Sequence, residues 1–157
     1  ADICVTAYGD GPLIDPAIVD QAVELYQCFG AFDFVGNDLK TTFPSGMEVE
    51  VFSIDSLRRA EEMCNDIEVR EHGTLFLRQH PEIFRLFNFE AHHPLRRPDL
   101  SLEVDVPADL LVMKKVMQHF SDKNNYSLGE IIELVDANNI WKLNQNIPRR
   151  WEKFRIQ

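Results

Sequence analysis

Ile3-Cys4-Val5-Thr6-Ala7-Tyr8-Gly9-Asp10-Gly11-Pro12-Leu13-Ile14-Asp15-Pro16 is the stretch on which the fold turns. Its first five residues are a β-rich run, and Gly9-Asp10-Gly11-Pro12 has the turn chemistry expected after a buried strand. Asp15 and Pro16 suit an N-cap and a first helical position. Ile18, Val19, Ala22, Val23 and Tyr26 then recur at helical spacing as far as Gly30. Strand, loop and helix in that order predict an α/β unit.

The pattern continues outward. Residues 32–35 read as a short strand, and 36–46 as a polar loop. Alternation in Glu48-Val49-Glu50-Val51-Phe52 predicts a half-buried strand, after which Ser53 can cap a helix carrying Leu57, Ala60, Met63 and Cys64. Residues 68–77 read as a second helical stretch, 84–89 as a strand, 90–99 as a loop and 100–104 as a further strand. Pro107 is placed to open a helix whose apolar face is read as Leu110, Leu111, Met113, Val116, Met117 and Phe120. Ser127 and Glu130 form a capping box before Ile131, Ile132, Leu134 and Val135. From Asn138 the chain is polar and irregular, with two tryptophans, and is expected to pack on the body or on another subunit. The division expected is 1–122 as the α/β body and 123–157 as a C-terminal extension. Alternating strands and helices predict a sheet covered by helices, with ligands beyond the strand ends, where Asp10 and Asp105 would share a rim.

The totals fit one such domain. The chain has 157 residues, 45% hydrophobic, enough to bury a core. Its net charge of −10 argues against nucleic acid and anionic lipid as partners. No apolar run is long enough for a membrane span, and the expected location is cytoplasmic. Cys4, Cys28 and Cys64 are far apart within apolar patterns and are expected as buried reduced thiols. The chain opens on Ala1 directly into a strand, which reads as a cut end.

Two groupings could carry chemistry. Asp10 and Asp105 on one rim could share a hard cation such as Mg²⁺; equally, Asp10 could be a turn residue and Asp105 a helix cap. Arg70-Glu71-His72-Gly73-Thr74 gathers a cation, a carboxylate, an imidazole and a hydroxyl, which suits a polyhydroxylated acid or a proton transfer, and equally a solvated helix end. His92 and His93 have no partner at metal-ligand spacing.

Four segments together resemble one family. Asp10-Gly11-Pro12-Leu13-Ile14-Asp15-Pro16 is similar to the GDxPLIDP segment of the spore-coat polysaccharide cytidylyltransferases, relatives of the enzymes that activate ketodeoxyoctonate and sialic acid. Phe43-Pro44-Ser45-Gly46-Met47-Glu48-Val49-Glu50-Val51-Phe52 resembles their FPDGLDVEVF, Arg70 to Thr74 their REHVT, and Val104-Asp105-Val106-Pro107-Ala108-Asp109-Leu110 their VDTPEDL. The resemblance implies a nucleotide-diphospho-sugar transferase-like three-layer α/β sandwich without its N-terminal nucleotide-binding segment. It implies Mg²⁺ held at Asp10 and Asp105, with a sugar-acid hydroxyl attacking the α-phosphate of CTP and releasing pyrophosphate. Asn37, Gly46, Glu50, Arg70, Glu71, His72 and Thr74 would line the acceptor side, and a homodimer is expected. Departures are Ser101-Leu102-Glu103 in place of Arg-x-Thr, Ser45 in place of an aspartate and Gly73 in place of a valine. With the nucleotide loop missing, the fragment alone is expected to be inactive. The alternative is a non-catalytic sugar-binding or dimerisation module of the same fold. A hydrolase using His72 lacks a GxSxG turn.

Overall fold

A computed structural model describes residues 2–123 and 125–149. Strand β1 (Ile3–Ala7) forms where the β-rich run predicted it. Asp15 then accepts the backbone N–H of Ala17 at 2.9 Å and starts α1 (Pro16–Phe29), which Gly30 ends in the left-handed region at φ 57°. Strands β2 (Phe34–Gly36) and β3 (Val49–Ser53) follow, and Ser53 caps α2 (Ile54–Met63) as expected. Two short helices, α3 (Ile67–Glu71) and α4 (Leu75–Gln79), precede β4 (Leu86–Asn88). The chain continues through α5 (Pro107–His119), α6 (Leu128–Ala137) with its Ser127–Glu130 capping box, and a 3₁₀ turn at Ile140–Leu143.

The sheet order is β1-β3-β2-β4, antiparallel except between β2 and β4. Its register decides which side chains share a face. Val51 pairs with Val5 and Val35, whereas Glu50 pairs with Thr6 and Gly36, and Phe52 with Cys4 and Phe34. On one face Val35, Val49 and Val51 join Ile18 and Ala22 of α1, Val112, Met113 and Val116 of α5, and Ile131 and Val135 of α6 in the main core. Each buried Val, Ile or Met among them contributes roughly 1.5–3 kcal/mol. On the other face Leu86 packs on a smaller core of Ala60, Leu77 and Phe84 from the α2–α4 region. Helices on both sides of the sheet make three layers, the α/β sandwich expected. The α6 side chains sit in the main core, so the body and the start of the extension share one interior. Trp151, with the rest of 150–157, lies outside the described residues.

Four expectations need correction. Residues 100–104 form no strand, only a parallel bridge between Ser45 and Ser101. The partner segment carries Pro44, which has no N–H, and Gly46 at φ 90°, so the ladder cannot lengthen. The helix read over 68–77 is broken by Gly73 at φ 51° into α3 and α4. Of the expected α5 face, Met113 and Val116 are buried and Phe120 packs on the main core, but Leu110, Leu111 and Met117 are exposed, and Asp109 and Val112 complete the buried stripe at spacings of three and four. Cys28 is exposed, Cys4 half-buried and Cys64 buried, all unpaired. No described helix is long and apolar enough to cross a membrane.

Candidate functional site

The second face of the sheet is not filled by its small core, and a cavity of about 600 Å³ opens there. Thr6, Glu50 and Phe52 reach it from the sheet, Leu57 from α2, and His72, Thr74 and Arg78 from the α3–α4 region. One rim is built from three nested turns. Val104 donates its N–H to the carbonyl of Asp10 at 2.8 Å, while Leu102 N–H bonds the Ser45 carbonyl at 2.9 Å. A Cβ on Gly11 would lie 2.5 Å from the Gly46 carbonyl oxygen, and one on Gly46 would lie 2.6 Å from that of Leu102. Only glycine permits this approach, and it brings Asp10 and Asp105 to the same cavity.

The floor is ionic. Glu50, 1% exposed, accepts from Thr74 Oγ1 at 2.8 Å and lies 3.4 Å from Arg78 Nη1. Arg78 Nη2 meets Asp38 Oδ2 at 2.8 Å. Asp38 Oδ1 and Arg78 Nε are buried without hydrogen-bond partners. Burial, then the Asp38 charge, pushes the Glu50 carboxyl up to about 7 against the pull of Arg78, Thr74 and the Tyr8 hydroxyl, which donates to it. Asp38 is itself raised by burial, more than Arg78 lowers it. Burial also pushes Glu48 up to about 7, opposed by its own N–H and that of Gly46 at 2.7 Å, and reinforced by Glu103 and Asp38. Tyr8 is 43% exposed overall, but its hydroxyl end is buried against Glu50 and Asp38, and its pKa is raised.

Of the residues expected from sequence, Asp10, Asp105, Glu50, Glu71, His72 and Thr74 line the cavity together. Three lie elsewhere. Asn37 donates to the Met47 carbonyl at 2.7 Å and accepts the Val49 N–H at 2.9 Å, closing the β2–β3 connection. Gly46 packs behind the rim. Arg70 donates to the carbonyls of Glu61 and Cys64 and pairs with the Glu61 carboxylate, tying α3 to α2. The sequence reading missed Tyr8, Asp38, Glu48 and Arg78. Glu48 was accessible, since it stands two residues before Glu50 and therefore on the same side of an alternating strand. Asp38 and Arg78 carry no local pattern that pairs them.

Among the described lining residues Arg78 is the one arginine or lysine, against a wall rich in carboxylates. Such a wall suits hydroxyl and cation recognition. No group of three or more His, Cys, Asp or Glu gathers as a metal cage among the described residues. Asp10 and Asp105, both exposed and lining one cavity, are a pair of hard oxygen ligands, which fits an ion that keeps waters and substrate oxygens as its remaining ligands.

No family model matches the chain. It is 29% identical over 150 residues to the uncharacterized protein MJ1063 of Methanocaldococcus jannaschii, covering 95% of this chain and 60% of that protein. It is 25% identical over 138 residues to the spore coat polysaccharide biosynthesis protein SpsF of Bacillus subtilis, covering 87% of this chain and 55% of SpsF. A cytidylyltransferase structure from Leptospira borgpetersenii superposes with a TM-score of 0.83 at 28% identity, covering 94% of this chain and 60% of that one. The chain therefore spans a little over half the length of the relatives it matches.

Proposed function

We propose that this homologue of SpsF, with the fold of a cytidylyltransferase, takes part in CTP-dependent nucleotidyl transfer to a sugar hydroxyl for polysaccharide synthesis. The observation that carries the reading is the meeting of Asp10 and Asp105 on one rim of a cavity whose floor is Glu50, Thr74 and Tyr8. Asp10 and Asp105 would hold Mg²⁺. When bound, the ion neutralises phosphate charge and aligns the α-phosphate for attack. The chain's own residues supply position: Glu50, Thr74 and Tyr8 present acceptors and donors to acceptor hydroxyls, and the nested glycine turns keep the rim rigid. Glu50, with its raised pKa, can take a proton near neutral pH, which suits it to relieve an attacking hydroxyl of its own. Released pyrophosphate completes the balance.

The acceptor class we propose is a sugar acid, whose acid group would meet Arg78 or His72. The carboxylate-rich wall favours a second reading, a neutral or aminated sugar, because an added carboxylate would face like charge. Calorimetric titration of CTP with Mg²⁺ into the chain and into a form extended to the length of its relatives, followed by pyrophosphate release with both acceptor classes, decides between them. Turnover in the extended form alone is expected. Asp10→Ala and Asp105→Ala should each lower it at least about 100-fold with an unchanged melting temperature. Silence from both forms would move the assignment to a sugar-binding or dimerisation module. A homodimer belongs to the proposal and is read by sedimentation of the same preparations.

A further inference from the structure

Asp105 precedes α5 on a loop with a single sheet bridge, so something other than a β-ladder must set its backbone. That element is Asp109, 0% exposed, whose Oδ2 accepts the backbone N–H of Asp105 and of Val106, each at 3.1 Å. Asp109 is held in turn from the C-terminal segment. Arg149 donates Nη1 to Oδ2 at 3.0 Å and Nη2 to Oδ1 at 2.8 Å, and Asn144 Nδ2 donates to Oδ1 at 2.8 Å. Asn144 also bonds the Ser101 carbonyl at 3.2 Å, and Arg149 Nη1 lies 3.8 Å from Glu103. The carboxylate of Asp109 thus has its acceptor sites filled, two toward the Asp105 loop and three toward the segment behind it. A two-pronged guanidinium fixes the carboxylate plane, and that plane fixes the direction of the Asp105 and Val106 amides.

We propose that Arg149 is a positioning residue: acting through Asp109, it sets the geometry of Asp105 and so the affinity of the Asp10–Asp105 pair for a divalent cation. The proposal rests on the reading that these two aspartates hold the ion. It gives the C-terminal segment a part in the site although Arg149 does not line the cavity. Groups that orient metal ligands from behind commonly change affinity by 10–100-fold when removed.

The test is titration of the full-length gene product with Mn²⁺ alone, followed by electron paramagnetic resonance, at a temperature where circular dichroism shows each variant folded. Arg149→Met should weaken Mn²⁺ binding about 10-fold or more. Arg149→Lys, which keeps the charge without the fork, should fall between it and the native protein. If Arg149→Met does not fold, Asn144→Ala serves in its place and should shift affinity the same way by less. Native Mn²⁺ affinity in the folded Arg149 and Asn144 variants overturns the proposal. The underlying site reading fails separately, if the native protein retains no Mn²⁺ or if Asp105→Asn binds it unchanged.

Discussion

Glu50 shows how one side chain can carry a site and weaken a fold at once. It lies on the central strand, buried beneath the cavity and close to Asp38, with one shared arginine for relief. Its carboxyl titrates near 7 in the folded protein against an ordinary value of 4.5, so folding takes up a proton between those pH values. Stability must then fall as pH rises from about 4.5 to 7, and the full penalty, on the order of 3 kcal/mol, persists above that. Glu50→Gln should reduce this slope, leaving the part that the similarly raised Glu48 contributes, and should raise the urea midpoint at pH 8. An unchanged slope in the variant would show that the floor is better solvated than its burial implies. The alternation of residues 48–52 already placed Glu50 on a face opposite Val49 and Val51. That this face is a cavity floor was not legible, because Asp38, Thr74 and Arg78 come from elsewhere in the chain.

At the scale of elements, caps and turns were the legible part. Asp15, Ser53 and Ser127 start α1, α2 and α6 with the hydrogen bonds their residue types suggested, because capping is a local interaction over two or three residues. The exposed side of α5 was misread for an equally physical reason. Leu110, Leu111 and Met117 are apolar, yet the helix turns its Asp109–Val112–Met113–Val116 stripe inward, where Val112, Met113 and Val116 join the main core and Asp109 bonds Arg149 and Asn144. Hydrophobicity alone could not choose between two adjacent stripes. The two readings separate by measurement. Phe52→Ala, 5% exposed on β3, should cost about 3–5 kcal/mol, whereas Leu111→Ala, 50% exposed, should stay within about 1 kcal/mol in the same denaturation assay. Comparable losses would mean that the α5 face is covered in solution.

Across the whole molecule, a single sheet joins a large core on one face to a small core and a cavity on the other. The central strand β3 serves both, while β1 pairs on one side only and keeps Ile3 and Val5 exposed. Hydrogen exchange should therefore rank the molecule. The amides of Val49 and Val51 should open only with global unfolding, while those of α3, which buries no side chain, should exchange by local opening. Uniform protection would show the cavity side to be as firmly packed as the main core. What the sequence by itself determined is the local grammar of strand, turn and capped helix, with the segments Asp10 to Pro16, Phe43 to Phe52, Arg70 to Thr74 and Val104 to Leu110 carrying the resemblance. Only the tertiary structure decided that Asn37, Gly46 and Arg70 brace the site from outside while Asp38, Glu48, Arg78 and Tyr8 line it. Propensity and capping act between neighbours in the chain. A cavity is made by side chains brought together through sheet register and helix packing, and its charge balance exists only once they meet.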